Sequence, residues 1–391
     1  MSNNSESFER WIRTSFVEMN TELEETYFKQ ERREAVEGVG DAIKTRICGE
    51  GHDFIVRLLA EGNTDEGFDN AFDLLGDLGL YLAALRRHEL TNPAREEKSP
   101  FQEASALGLH IAASVGMAPR FATAHLATRN AAVNGRQKSF TTLKDEFLFL
   151  DYNTRGIFSF MRCADALMRI LPLGVSHPVT ETLLQDAASA LRAVIKYNDT
   201  LYKELDADRF FYSVRPYYKP YRVGRHEYRG ANAGDFSGIN EIDMLLGLCQ
   251  ANDPYYAQLL VDKMLFMTPE DQASLRDCMR QRSILAQFLD VAPESAKKPW
   301  FKRNAAAFLE VCRLHGETAV QHHDQLVKRF IEKPSAALEA DKLAQVTASG
   351  PPLPVLLRAL ETLRDMRNAA DRNDIRTSYK EIEALKAYVS A

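Results

Sequence analysis

Apolar residues recur at spacings of three and four through most of this chain, and few stretches alternate with period two. FDNAFDLLGDLGLYLAALRR (68–87) keeps an apolar stripe along its length, as a helix packed on a core does. The same pattern predicts helices over 101–115, 119–132, 155–171, 178–204, 240–250, 254–266, 302–331, 353–369 and 375–389. Pro178 and Thr180 in HPVTETLLQDA, and Thr268 and Pro269 in TPEDQASL, mark helix starts. Proline suits a first helical turn, and a threonine oxygen can cap its free N–H groups. The expected class is all-α.

Two stretches break the pattern. VNGRQKSFTT (133–142) is polar and aperiodic, and is read as the divide between a small N-terminal helical domain (1–135) and a larger helical domain (136–391). RPYYKPYRVGRHEYRGANAGDFSGI (215–239) is long and rich in Gly, Pro, Tyr and Arg. Loops of that length in a compact domain are functional or disordered, and the tyrosines argue against disorder.

Composition narrows the classes. With 391 residues, 45% of them hydrophobic, the chain can bury a large core. Its charge of 49 − 55 = −6 and mixed surface argue against a nucleic-acid partner. Five cysteines without a CxxC pair fit a reducing compartment better than a disulfide framework. The opening MSNNSESFERWIRTSF has no signal-peptide core, and no uncharged apolar run of about 18 residues occurs. No membrane partner and a cytoplasmic location are expected.

Nine histidines are present, at 52, 88, 110, 125, 177, 226, 315, 322 and 323, without an HExxH. On one helix His315 and His322 lie about 10.5 Å apart along the axis, and His322 and His323 about 100° apart around it. Neither pair can chelate one zinc. His323 has Ala319, Val320, Leu326, Val327 and Phe330 on its face, whereas His322 shares its side with Gln325 and Arg329. A histidine on an apolar face is either a satisfied core group or a single axial ligand to haem, and periodicity leaves both open.

Five stretches, in order, carry a resemblance: MAPRFATAHLATRN (117–130), RFFYSVRPYYKPYR (209–222), GANAGDFSGINEIDMLLGL (230–248), QHHDQLVKRFI (321–331) and TASGPPLPVLL (347–357). Together they resemble the indoleamine 2,3-dioxygenase superfamily over roughly residues 70 to 370, most closely its bacterial branch around monodechloroaminopyrrolnitrin synthase. The resemblance implies an all-helical haem fold and haem b ligated through its iron by His323. It also implies tryptophan or an indole derivative as substrate, with dioxygen. Arg215 matches the arginine that binds the substrate carboxylate, and Phe210 and Phe211 match the aromatic pair beside the indole. Gly230, Ala231, Asn232, Ala233 and Gly234 match a loop approaching haem and substrate, with Ala233 on the substrate and Asn232 and Gly234 on the cofactor. Thr347, Ser349 and Gly350 match a loop reaching the amino acid end, Thr347 to the substrate and Ser349 to the cofactor.

Departures from the pattern bear on the reaction. The distal serine falls near Met161 or Ser159, the distal tyrosine is replaced near Thr123 with His125 two residues on, and Val320 replaces an arginine of the animal members. The resemblance therefore implies either oxygenation of tryptophan or an oxidative rearrangement of a substituted tryptophan in secondary metabolism. A haem protein without turnover and a cofactor-free interaction protein are the other classes weighed. No catalytic acid or base stands out, and the oligomeric state is not legible.

Overall fold

The computed structural model describes residues 2–62, 67–336 and 352–390. The all-α expectation holds: strand is confined, among the described residues, to Tyr221–Val223 paired antiparallel with His226–Tyr228, besides one isolated bridge between Val133 and Arg136. No described helix is long and apolar enough to cross a membrane. Two compact units emerge, each built from separated stretches. One comprises Met1–Asp151, Leu205–Asp235 and Phe330–Leu353, the other Tyr152–Glu204, Phe236–Arg329 and Pro354–Ala391.

The first unit is organised around the helix Phe68–Arg87, which is buried nearly all round. Leu75, Leu78, Leu82 and Leu85 supply the apolar body. Its buried polar residues are paired: Asp77 with Lys138 at 2.9 Å, Arg86 with Glu89 at 2.7 Å, Arg87 with Glu24 at 2.7 Å. A desolvated charge without such a partner would cost several kcal/mol, on the order of 3–5. The helices Gln102–Val115 and Asp41–Glu61 pack beside it.

Periodicity over 119–132 predicts a helix, but only the turn Thr123–Leu126 forms. The segment is instead laid across Phe68–Arg87 at two glycines. A Cβ at Gly79 would stand 2.1 Å from the Phe121 backbone nitrogen, and one at Gly76 2.4 Å from the His125 ring. His125 then takes up the Ala122 N–H that a helix would need, at 2.8 Å. Helices not expected from periodicity occupy Asn3–Trp11, Val17–Phe28, Asp41–Glu61 and Ile284–Ser295.

In the second unit Pro178–Glu204 packs along Pro299–Gln321, and Tyr379–Ser390 rests on the latter and on Ile284–Ser295. Phe288, Phe301 and Phe308 form its aromatic centre, with Phe288 and Phe308 rings 5.2 Å apart. Thr268 caps Pro269–Cys278 by accepting from Asp271 N at 3.3 Å, as the sequence predicts.

Candidate functional site

In the first unit, Asp206 accepts from Arg209 N at 2.8 Å and starts the turn that leads into the aromatic pair. Phe210–Val214 is wound as a π-helix, with Arg215 N–H donating to Phe210 O five residues back. Pro216 cannot donate a backbone hydrogen bond, and the winding tightens to a 3₁₀ turn over Arg215–Tyr218. Arg87 anchors this turn by donating to Tyr212 O at 2.8 Å, while Glu24 accepts from the same guanidinium at 2.7 and 2.8 Å. Phe210 and Phe211 are buried, and the Arg215 guanidinium lies 5.6 Å from the Phe211 ring centre. Arg215 itself is 6% exposed. Burial lowers its pKa to about 10, so it remains charged at neutral pH.

Asp235 organises the loop 230–234 that follows. It receives Arg229 through two hydrogen bonds, of 2.9 and 2.8 Å, and the Asn232 N–H at 2.9 Å. Asn232 Oδ1 accepts from Gly234 N at 3.0 Å, and Asn232 O accepts from the Thr123 hydroxyl at 2.7 Å. Ala233 and Gly234 are half-buried. Thr347, Ser349 and Gly350 lie outside the described residues. Arg222 braces the hairpin by donating to Arg225 O at 2.6 Å and Pro93 O at 3.0 Å.

His125 belongs to the core. Its Nε2 meets Phe72 O at 2.8 Å, its Nδ1 meets Ala122 N–H at 2.8 Å, and its ring stacks on Phe72 at 3.9 Å. A carbonyl can only accept, so Nε2 carries a proton; Nδ1 lies closer to the Ala122 N–H, at 2.8 Å, than to the Ala122 carbonyl, at 3.2 Å, which favours the neutral Nε2–H tautomer. Burial, helped by the charge of Lys138, lowers its pKa to about 3.

In the second unit, the helix read over 302–331 is present, but its winding changes. Pro299–Gln321 is α-helical and His322–Glu332 is π-helical. The faces of a regular α-helix therefore do not carry through: Ala319, Val327 and Phe330 are buried, whereas Val320 is 36% exposed. A third π segment, Ile12–Phe16, contains no candidate residue. His322 is exposed, in keeping with the polar neighbours Gln325 and Arg329 that the sequence places on its side.

His323, with a side chain 12% exposed, places Nδ1 3.0 Å from Asp324 Oδ1. A carboxylate accepts only, so Nδ1 carries a proton, and Nε2 is the nitrogen left to present a lone pair to a metal. Among the described residues Nε2 makes no hydrogen bond. An imidazole with one nitrogen held by a carboxylate and the other open fits a single iron ligand. The donor set present is thus compatible with the haem that the resemblance implies.

A second buried centre lies on the same unit. Asp243 receives His315 Nε2 at 2.6 Å, the Tyr256 hydroxyl at 2.7 Å and Arg367 through Nε and Nη2, both at 2.8 Å. Burial alone would raise the Asp243 carboxyl, but Arg367 and His315 outweigh it and hold it far below the usual range. Val320 is not the source of a guanidinium here; Arg367, 124 residues beyond Asp243, supplies one. Of the two distal candidates, Ser159 is buried and Met161 is 39% exposed. The Met161 backbone approaches Gly238, where a Cβ would stand 3.4 Å from Met161 Cα.

Sequence reasoning singled out His323, Arg215 and the phenylalanines, but missed Asp324, Arg367 and His315 as partners. Asp324 was discoverable, being an acceptor next in sequence to the candidate ligand. Arg367 carries no local signal. Comparison with known families adds one finding: the family model described as "Monodechloroaminopyrrolnitrin synthase PrnB" matches residues 2–389.

Proposed function

The chain belongs to that family, and from this premise we propose that it is a haem-dependent enzyme carrying out oxidative chemistry on tryptophan or an indole-derived amino acid, with dioxygen. The open Nε2 of His323 is the observation that carries the reading. His323 would hold the iron of haem b, and the bound haem would supply the redox chemistry. Asn232, Gly234 and Ser349 are proposed on the cofactor, and Ala233 and Thr347 on the substrate.

The protein's part is binding and orientation. Arg215 is charged and desolvated, and its planar fork suits a substrate carboxylate. Phe210 and Phe211 offer apolar surface that excludes water from an indole ring. Holding the substrate at both ends fixes which ring carbon faces the oxidant. Family membership supports the rearranging, synthase-type outcome in secondary metabolism over ordinary ring-opening dioxygenation. The division into residues 1–135 and 136–391, and a cytoplasmic location, remain parts of this proposal.

The test is an absorption spectrum of haem-supplemented wild type and His323→Ala, ferrous, with L-tryptophan or a chlorotryptophan under oxygen. A Soret band lost in the variant and a substrate-dependent shift or product in the wild type are expected. A colourless wild type, or a band indifferent to His323, overturns the reading. Arg215→Leu should weaken amino acid binding about 30-fold, the equivalent of losing about 2 kcal/mol from a desolvated charge pair. Unchanged affinity removes Arg215 from the carboxylate.

A further inference from the structure

Asp324 stands next to His323 in sequence, and its carboxylate is shared. Oδ1 receives His323 Nδ1 at 3.0 Å and Lys328 Nζ at 3.0 Å, and the Arg364 guanidinium approaches it at 3.6 Å. Arg364 is in turn engaged by Asp365 at 2.8 Å and Glu361 at 3.5 Å. Both members of the His323–Asp324 pair come from the π segment His322–Glu332. His315 has the same arrangement reversed, Nε2 on Asp243 and Nδ1 without a hydrogen-bond partner, but its side chain is 0% exposed.

We infer that Asp324 is a positioning residue for the haem iron: its carboxylate holds His323 in the Nδ1–H tautomer and orientation that presents Nε2, and makes that nitrogen a stronger electron donor. The inference rests on the reading of His323 as the iron ligand. The physical reason is general. A carboxylate on the remote N–H of a ligating imidazole fixes its tautomer and raises its basicity, and removing such a partner typically costs about 10–100-fold in metal affinity. A more basic ligand stabilises the ferric over the ferrous state. Lys328 and Arg364 act in the opposite sense, because each draws charge from the same carboxylate. Asp324 therefore sets the strength of the donation and the two cations trim it.

The test uses the full-length, haem-loaded protein and four variants: Asp324→Asn, Asp324→Leu, Lys328→Gln and His323→Ala. The readouts are the iron–imidazole stretching line in the resonance Raman spectrum of the ferrous form, the ferric/ferrous midpoint potential, and haem affinity by Soret titration. Asp324→Asn keeps an acceptor but loses the charge, so the stretch should fall in frequency and the potential should rise. Asp324→Leu should move both further and weaken haem binding about 10-fold. Lys328→Gln should shift the potential the other way, a reversal that no loss of folding produces. Lys328 is 49% exposed and Asp324 35%, so these variants leave the core untouched. If His323→Ala abolishes the line while the Asp324 and Lys328 variants match wild type, Asp324 has no such role. Persistence of the line in His323→Ala overturns the ligand assignment itself, and the inference falls with it.

Discussion

His125, noted for the distal side and lying on the segment laid over Phe68–Arg87, and His323, the ligand candidate on the π segment of the other unit, are separated by their surroundings. Each imidazole is largely enclosed, and each has apolar neighbours. His125 spends Nε2 on Phe72 O and Nδ1 on Ala122 N–H, so nothing is left to offer. His323 spends only Nδ1, on Asp324. Burial and an apolar face therefore do not make a ligand. What matters is a free lone pair on an accessible nitrogen, with the proton pinned at the other one. His315 shows that both conditions are needed, since its open Nδ1 is sealed in the core.

The comparison can be broken most directly by exchanging each ring for one without nitrogen. His125→Phe strands the Phe72 carbonyl and the Ala122 N–H, and should cost about 3 kcal/mol in urea unfolding. His323→Phe should change stability by less than about 1 kcal/mol, since a ring of similar size replaces it and the one hydrogen bond lost is to the half-exposed Asp324, which keeps Lys328. Equal losses would mean that His323 is a core histidine after all.

Gly79→Ala tests what seats the His125 segment. The new Cβ would meet the Phe121 backbone nitrogen at 2.1 Å, and backbone cannot swing aside as a long side chain can. The gain in helix propensity, about 1 kcal/mol, should be outweighed, for a net loss of about 2 kcal/mol in the same assay. A stabilised variant would show that the close approach does not determine the path of 117–130.

The pH dependence sharpens the contrast further. His125 is protonated near 6.5 when unfolded but only at about 3 when folded. The unfolded state then binds more protons between those values, so stability rises with pH from about 3 to 6.5 and this contribution is complete above that window. Glu146 and Asp77, raised by burial to about 7 and about 6, act in the opposite sense. The difference between wild type and His125→Phe isolates the histidine: its gap should widen from pH 3 to 6.5. A constant gap would refute the buried neutral imidazole.

Much of this was legible along the chain because helix packing leaves a local trace. The stripe at 68–87 required burial on one face, and the structure buries it on nearly all. Pro178 and Thr268 announced their helix starts. The collinear stretches around Arg215 and His323 were enough to single out both residues. The helix at 119–132 misled because its periodicity is real, but two glycines on another helix offer its backbone a closer seat than its own hydrogen bonds. The change to π winding at His322 was equally hidden, since an α-period pattern remains a fair approximation over one or two turns.

The residue sequence was sufficient for the all-α class, which depends on residue type and on neighbours within a few positions, and its resemblance to a known family singled out the candidate imidazole and the arginine beside two phenylalanines. Only the tertiary structure could decide which nitrogens are spent. Arg367 reaches Asp243 across 124 residues, Arg87 reaches Tyr212 across 125, and Phe72 O closes His125 from 53 residues away. A hydrogen bond saturates a specific atom at about 3 Å, and no pattern of spacing along a chain reports which distant atom arrives there.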